Sequence, residues 1–118
     1  MGLACLCATA GASAADEAAA LRALAVSHCS QCHTFGQGEP HGQGPNLWSL
    51  IGRPAGSSVG YPYSPGFRSA LEGKVWDAAL LDRWLADTLA VAPDSQMIYF
   101  QDDPAVRAKL IRFFTSQR

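Results

Sequence analysis

Lysine is nearly absent: the chain has 118 residues, and Lys74 and Lys109 are its two lysines. Nine basic residues stand against ten acidic ones, for a formal charge of -1, so the clustered basic surface of a nucleic-acid binder is missing. No apolar run reaches the roughly 18 residues that a membrane span needs, so no stable membrane insertion is expected of the mature chain. No segment alternates cleanly between apolar and polar residues, which removes the main sign of a sheet. Charged residues are only 16%, but apolar residues reach 48%, which argues against long disordered stretches. A chain of this length makes one domain with a modest core, and a bound cofactor would help to stabilise it.

The first fifteen residues, MGLACLCATAGASAA, carry no charged side chain. They are small and apolar, and Ala12-Ser13-Ala14 fits the small-residue pattern of a leader cleavage site. The expected organisation is a secretion signal over 1–15, cleaved after Ala14 or Ala15, and one domain over 16–118. A lipoprotein anchored at Cys5 or Cys7 is the weaker alternative, because little apolar sequence precedes either cysteine. Export leaves two of the four cysteines, Cys29 and Cys32. The implied location is the periplasm or another extracytoplasmic space, rather than the mitochondrial intermembrane space.

Residues 16–33 read as a helix with Leu21, Leu24, Ala25 and His28 on one stripe. From Thr34 to Pro65, glycines and prolines recur every few residues, so long loops with at most short turns are expected. So long a loop in a small domain calls for a functional reason, and wrapping a large ligand is one. Asp77–Leu89 reads as a second amphipathic helix, capped by Asp77, with Leu81, Trp84, Leu85 and Leu89 on one face. Residues 90–102 read as a loop broken by Pro93. A last helix starts at Asp103-Pro104, with Val106, Leu110, Phe113 and Phe114 at helical spacing. The fold class expected is all-α.

Cys29-Ser30-Gln31-Cys32-His33 is a C-x-x-C-H motif, the signature of c-type haem attachment. Two thiols three residues apart reach the two vinyl groups of one haem, and the adjacent histidine then lies under the iron. A thioredoxin-like pair would need a βαβ context, and a zinc site would need a second ligand pair; neither is present. The sixth iron position has four candidates: Met1, His28, His41 and Met97. Met1 leaves with the leader, His28 adjoins Cys29 on the wrong side, and His41 follows the motif closely enough to reach the proximal side only. Met97 lies far downstream in a Pro-containing loop, and the ligand reading wins there over core filler. The metal ligands expected are therefore His33 and Met97, on one haem c attached through Cys29 and Cys32.

Over nearly all of 16–118 the chain resembles the class I c-type cytochromes, the branch of mitochondrial cytochrome c and its bacterial relatives. The resemblance is carried by CSQCHTF (29–35), GPNLWSLIGRPAG (44–56), GYPYS (60–64), Trp76 and the run Pro93-Asp94-Ser95-Gln96-Met97. It implies three main helices plus long loops around one haem. It also implies that the Pro45 carbonyl holds the His33 ring, that Leu47 packs on the haem, and that Arg53, Tyr63 and Trp76 surround a buried propionate. Ser64 and Ser95 would add hydroxyl contacts, and His41 would tether loops.

Some positions depart from that family. Leu21 stands where glycine is usual, Ala25 where an aromatic is usual, and Phe67 near a usual distal asparagine. Trp84 replaces the tyrosine usual beside the axial methionine, and an indole donates in a different direction from a phenol. The lysine ring of the mitochondrial proteins is missing, and Leu89-Ala90-Val91-Ala92 makes an apolar edge instead. The expected protein is a one-electron carrier, not an enzyme, with redox proteins as donor and acceptor. The alternatives are a haem-bearing subunit of a larger dehydrogenase or oxidase, and a haem peroxidase, which would need an open iron position.

Overall fold

The computed structural model describes residues 1–2, 4–7 and 10–118. Leu3, Ala8 and Thr9, part of the expected leader, lie outside the described residues. Among the described residues are five helices and no strand: α1 (Ala14–Cys29), α2 (Pro65–Leu71), α3 (Ala78–Ala86), α4 (Thr88–Val91) and α5 (Pro104–Ser116). The three longest are the three main helices of the expected all-α fold. None is long and apolar enough to cross a membrane.

Helix α1 starts earlier than its apolar stripe suggests, because Ser13 and Asp16 form a capping box. The Asp16 N–H donates to the Ser13 hydroxyl at 3.1 Å and the Ser13 N–H to the Asp16 carboxylate at 3.3 Å. It also ends four residues sooner than the expected boundary, at Cys29, and the attachment motif continues as a hydrogen-bonded turn. Helix α5 packs on α1 and on α3. Arg112 pairs with Glu17 across the first contact, and Arg107 with Asp82 at 2.8 Å across the second.

Ala25 is fully buried in the core shared by α1, α3 and α5. The aromatic volume absent at that position is present nearby, where Phe35, Phe113 and Phe114 meet edge to face at 5.1–5.9 Å between ring centres. Leu21 is half-buried against the same core.

The expected helix over 77–89 is two helices. Asp77 caps α3 as expected, accepting the Leu80 N–H at 2.7 Å. Asp87 then takes an extended conformation (φ -163°, ψ 102°), ends α3, and caps α4 by accepting from the N–H groups of Leu89 and Ala90. Leu81, Trp84 and Leu85 are buried, whereas Leu89 has left the shared face and is exposed. Helix α2 was not expected at all. Ser64 caps it, accepting the Phe67 N–H at 3.2 Å, and Pro65 opens it.

The long loop is wired rather than loose. Backbone bonds Gly52 N–H to Trp76 O and Trp76 N–H to Arg53 O, at 2.8 and 2.9 Å, clamp the Arg53 turn to the segment before α3. Gly52 sits at φ 95°, where a side chain would be strained. His41 tethers the loop from both ring nitrogens: it accepts the Asn46 N–H at Nδ1 and donates to the Val59 carbonyl from Nε2, each at 2.9 Å.

Candidate functional site

A cavity of about 730 Å³ opens between the loop, α3 and the C-terminal end of α1. That is within the roughly 300–1,000 Å³ of cofactor and ligand pockets. The structure brings to its wall every residue expected to attach, ligate or surround the haem, Trp84 included, while His41, the expected loop tether, lies off it.

The proximal side is built from the end of α1. The Cys29 carbonyl accepts both the Cys32 N–H at 3.2 Å and the His33 N–H at 2.9 Å, so the motif closes into a tight turn. Both thiols are free, and burial, with Cys32 beside it, pushes Cys29 up to about 11. A redox-active dithiol needs the opposite shift, towards thiolate, so the pair is poorly suited to disulfide exchange.

His33 points into the cavity with Nδ1 2.8 Å from the Pro45 carbonyl. That bond puts the proton on Nδ1 and leaves Nε2 free as a ligand. Burial lowers the imidazole below its ordinary value, the Pro45 bond acting the other way, so the ring is held neutral as a ligand must be. Gly44 is required here, since a Cβ at that position would collide with the His33 ring.

The floor and far wall are aromatic. Tyr63 stacks on Phe67 at 5.2 Å, Phe67 meets Trp84 edge to face at 5.5 Å, and Trp84 meets Trp76 at 5.8 Å. Leu47 is half-buried at the wall. Arg53 donates to the carbonyls of Trp48 and Asn46, both at 3.2 Å, but its Nε is buried without a partner. An unpaired guanidinium N–H beside an apolar cavity is costly, and a carboxylate of the cofactor would satisfy it. The free Nε2, the space kept by Gly44 and the orphaned Arg53 Nε together fit a haem.

Both serines also have partners within the protein. The Ser64 oxygen accepts the Phe67 N–H as the cap of α2, which leaves its proton free to donate. Ser95 donates to the Met97 carbonyl at 3.0 Å and accepts the Met97 N–H at 3.1 Å, so its single proton is spent on the methionine's own backbone.

Sequence reasoning missed Thr88 and Tyr99. Thr88 is fully buried, donates to the Met97 carbonyl at 2.7 Å and accepts the Tyr99 N–H at 3.0 Å. The Tyr99 hydroxyl lies 3.0 Å from His28 Nδ1. No local pattern announces either contact. The apolar edge also differs from expectation: Ala92 is fully buried, because α4 turns it inward, while Ile98 and Phe100 are 78% and 68% exposed.

No family model matches the chain. It is 33% identical to cytochrome c-550 of Novispirillum itersonii over 107 residues, covering 83% of this chain and 96% of that one. It is 34% identical to cytochrome c2 of Rhodomicrobium vannielii over 90 residues, covering 75% and 70%. It is 35% identical to cytochrome c of Ginkgo biloba over 86 residues, covering 72% and 74%.

The chain is a class I c-type cytochrome.

With the family come one haem c, bound covalently at the Cys29–Cys32 motif, and an electron-carrying rather than enzymatic role. The peroxidase alternative falls with that finding. As a cytochrome c the protein works with redox partners.

Proposed function

We propose that this cytochrome is an extracytoplasmic carrier of single electrons whose iron is held by His33 and Met97. The observation that carries the reading is that His33, with Nε2 left free, and Met97 line the same cavity. When bound, the haem supplies an iron that cycles between ferric and ferrous. Pro45 orients the His33 ring and raises its basicity. Thr88 and Ser95 fix the Met97 backbone. Arg53 and Tyr63 stand at the wall for a propionate, and the buried Trp76, Trp84, Leu81 and Leu85 keep the site dry. A dry pocket disfavours the extra charge of the ferric state, and thioether ligation acts in the same direction, so a relatively high potential follows.

The leader over 1–15 belongs to the same proposal. Every described residue from Met1 to Ala20 is exposed, so none of the described residues in 1–15 belongs to the buried core. The periplasm is the compartment such a leader serves. A redox titration followed by absorption tests the reading. It should give one low-spin haem and a single one-electron wave; a high-spin resting iron would contradict the proposed ligand set.

The exposure of Ile98 and Phe100 favours a second reading, a haem subunit docked on a larger dehydrogenase or oxidase, since exposed apolar patches mark partner sites. Copurification of a stoichiometric partner from the native source separates it from a free carrier.

A further inference from the structure

The segment that carries Met97 runs between two holds. On its inner side Thr88 binds the Met97 carbonyl and the Tyr99 backbone, with the Thr88 N–H donating to the Tyr99 carbonyl at 3.1 Å. On its outer side the Tyr99 ring reaches over the cavity mouth to His28, the rings edge to face at 6.3 Å between centres and the hydroxyl 3.0 Å from Nδ1. His28 lies in the last turn of α1, immediately before Cys29, and both residues line the cavity. Among the described residues this is the one hydrogen bond between α1 and the segment after Met97. Its neighbours Ile98 and Phe100 face solvent, so Tyr99 alone of the three turns inward.

We propose that the Tyr99–His28 hydrogen bond is a latch across the cavity mouth that keeps the Met97 loop closed and so limits exchange of Met97 for small ligands from solution. Tyr99 and His28 are then positioning residues, acting on the iron through the loop. The inference rests on Met97 being the distal ligand. The contact joins the helix end that bears the attachment cysteines to the loop that bears the distal ligand. Opening that loop must therefore break it, whereas breathing of the rest of the fold need not. A tyrosine suits this task because its ring covers apolar surface while its hydroxyl ends at a polar partner.

The test uses the ferric holoprotein with imidazole as the probe ligand, its binding rate and affinity followed by absorption. Tyr99→Phe keeps the ring and loses the bond, and His28→Leu removes the other partner. Loss of one hydrogen bond should raise imidazole binding about two- to tenfold in each variant. The double variant should bind no faster than either single, because one shared contact is lost in all three. His28→Asn, whose amide reaches the place of Nδ1, should restore most of the wild-type rate. Met97→Ala is measured alongside and should bind imidazole fastest.

If Met97→Ala binds no better than wild type, the ligand assignment fails and the latch with it. If Met97→Ala opens the site but Tyr99→Phe behaves as wild type, the latch alone is overturned. Effects of the two single variants that multiply in the double would overturn it as well. Should Tyr99→Phe lower thermal stability without changing imidazole binding, the contact is structural and the proposal is wrong.

Discussion

The two faces of the cavity are built by different means. The proximal face is local and made by backbone: the Cys29 carbonyl closes the turn, the Gly44 N–H donates to the Cys32 carbonyl at 2.8 Å, and the Leu47 N–H to the Thr34 carbonyl at 2.9 Å. Most of its side-chain anchors also end on backbone, among them His33 on the Pro45 carbonyl, His41 on the Asn46 N–H and Tyr61 on the Gln43 carbonyl. The distal face is assembled from α1, α4 and the Met97 loop, and hydroxyls hold it: those of Thr88, Ser95 and Tyr99. Backbone bonds survive most substitutions, whereas a hydroxyl is removed by one. The distal face is therefore the adjustable one, where a sequence can change ligand retention and partner contact without dismantling the attachment site.

The largest expected effect lies on the proximal side. Mass spectrometry of the denatured protein, made with a working cytochrome maturation system, should show the mature chain plus one haem. Replacing both Cys29 and Cys32 by alanine should abolish that added mass completely. A chain mass without haem in the wild type would undo the proximal half of the comparison.

Next comes docking. Ile98 at the distal rim and Gln31 at the proximal rim are both exposed and both border the cavity. Burying an apolar side chain of this size contributes about 1.5–3 kcal/mol, against roughly 0–1 kcal/mol for a rim ion pair. Ile98→Asp should therefore slow oxidation by membranes of the source cell by about tenfold or more. The same charge at Gln31→Asp should matter much less. Raising salt to physiological strength should change the wild-type rate little, because there is no lysine ring to screen.

Thr88→Val is expected to cost about 1–3 kcal/mol, because it leaves the part-buried Tyr99 N–H without its acceptor and the Met97 carbonyl with Ser95 as its remaining donor. Ser30→Ala, which removes an exposed hydroxyl bonded to the Val26 carbonyl, should stay within about 0.5 kcal/mol. Thermal unfolding of the two holoproteins makes the comparison; equal losses would contradict it.

The smallest effect concerns the start of α1. In a chain that keeps its first residues, Ser13→Ala removes the cap and costs about 1 kcal/mol. In a chain cleaved near Asp16 the substitution is gone with the leader, and the exported protein should match wild type in mass and stability.

These differences explain what could be read from the sequence. The proximal site is five consecutive residues, and its chemistry follows from their spacing. Met97 stood out as the one internal methionine, in an irregular loop. Thr88 and Tyr99 did not stand out, because Tyr99 meets a residue 71 positions away and Thr88 acts through a fold that is only there once α4 has turned. The helices α3 and α5 were legible from apolar spacing and their aspartate caps. The break at Asp87 was hidden because Leu89 continues the helical stripe, while a single aspartate ends one helix and caps the next. Helix α2 carries a start signal, Ser64-Pro65, but its residues adjoin a Gly/Pro-rich stretch that reads as loop.

Met97 decides the distal site, and the far-red charge-transfer band of the ferric protein tests its ligation most directly. Wild type should show that weak band, and Met97→Ala should lose it while His28→Leu keeps it. A band unchanged in Met97→Ala would mean that another residue holds the sixth position.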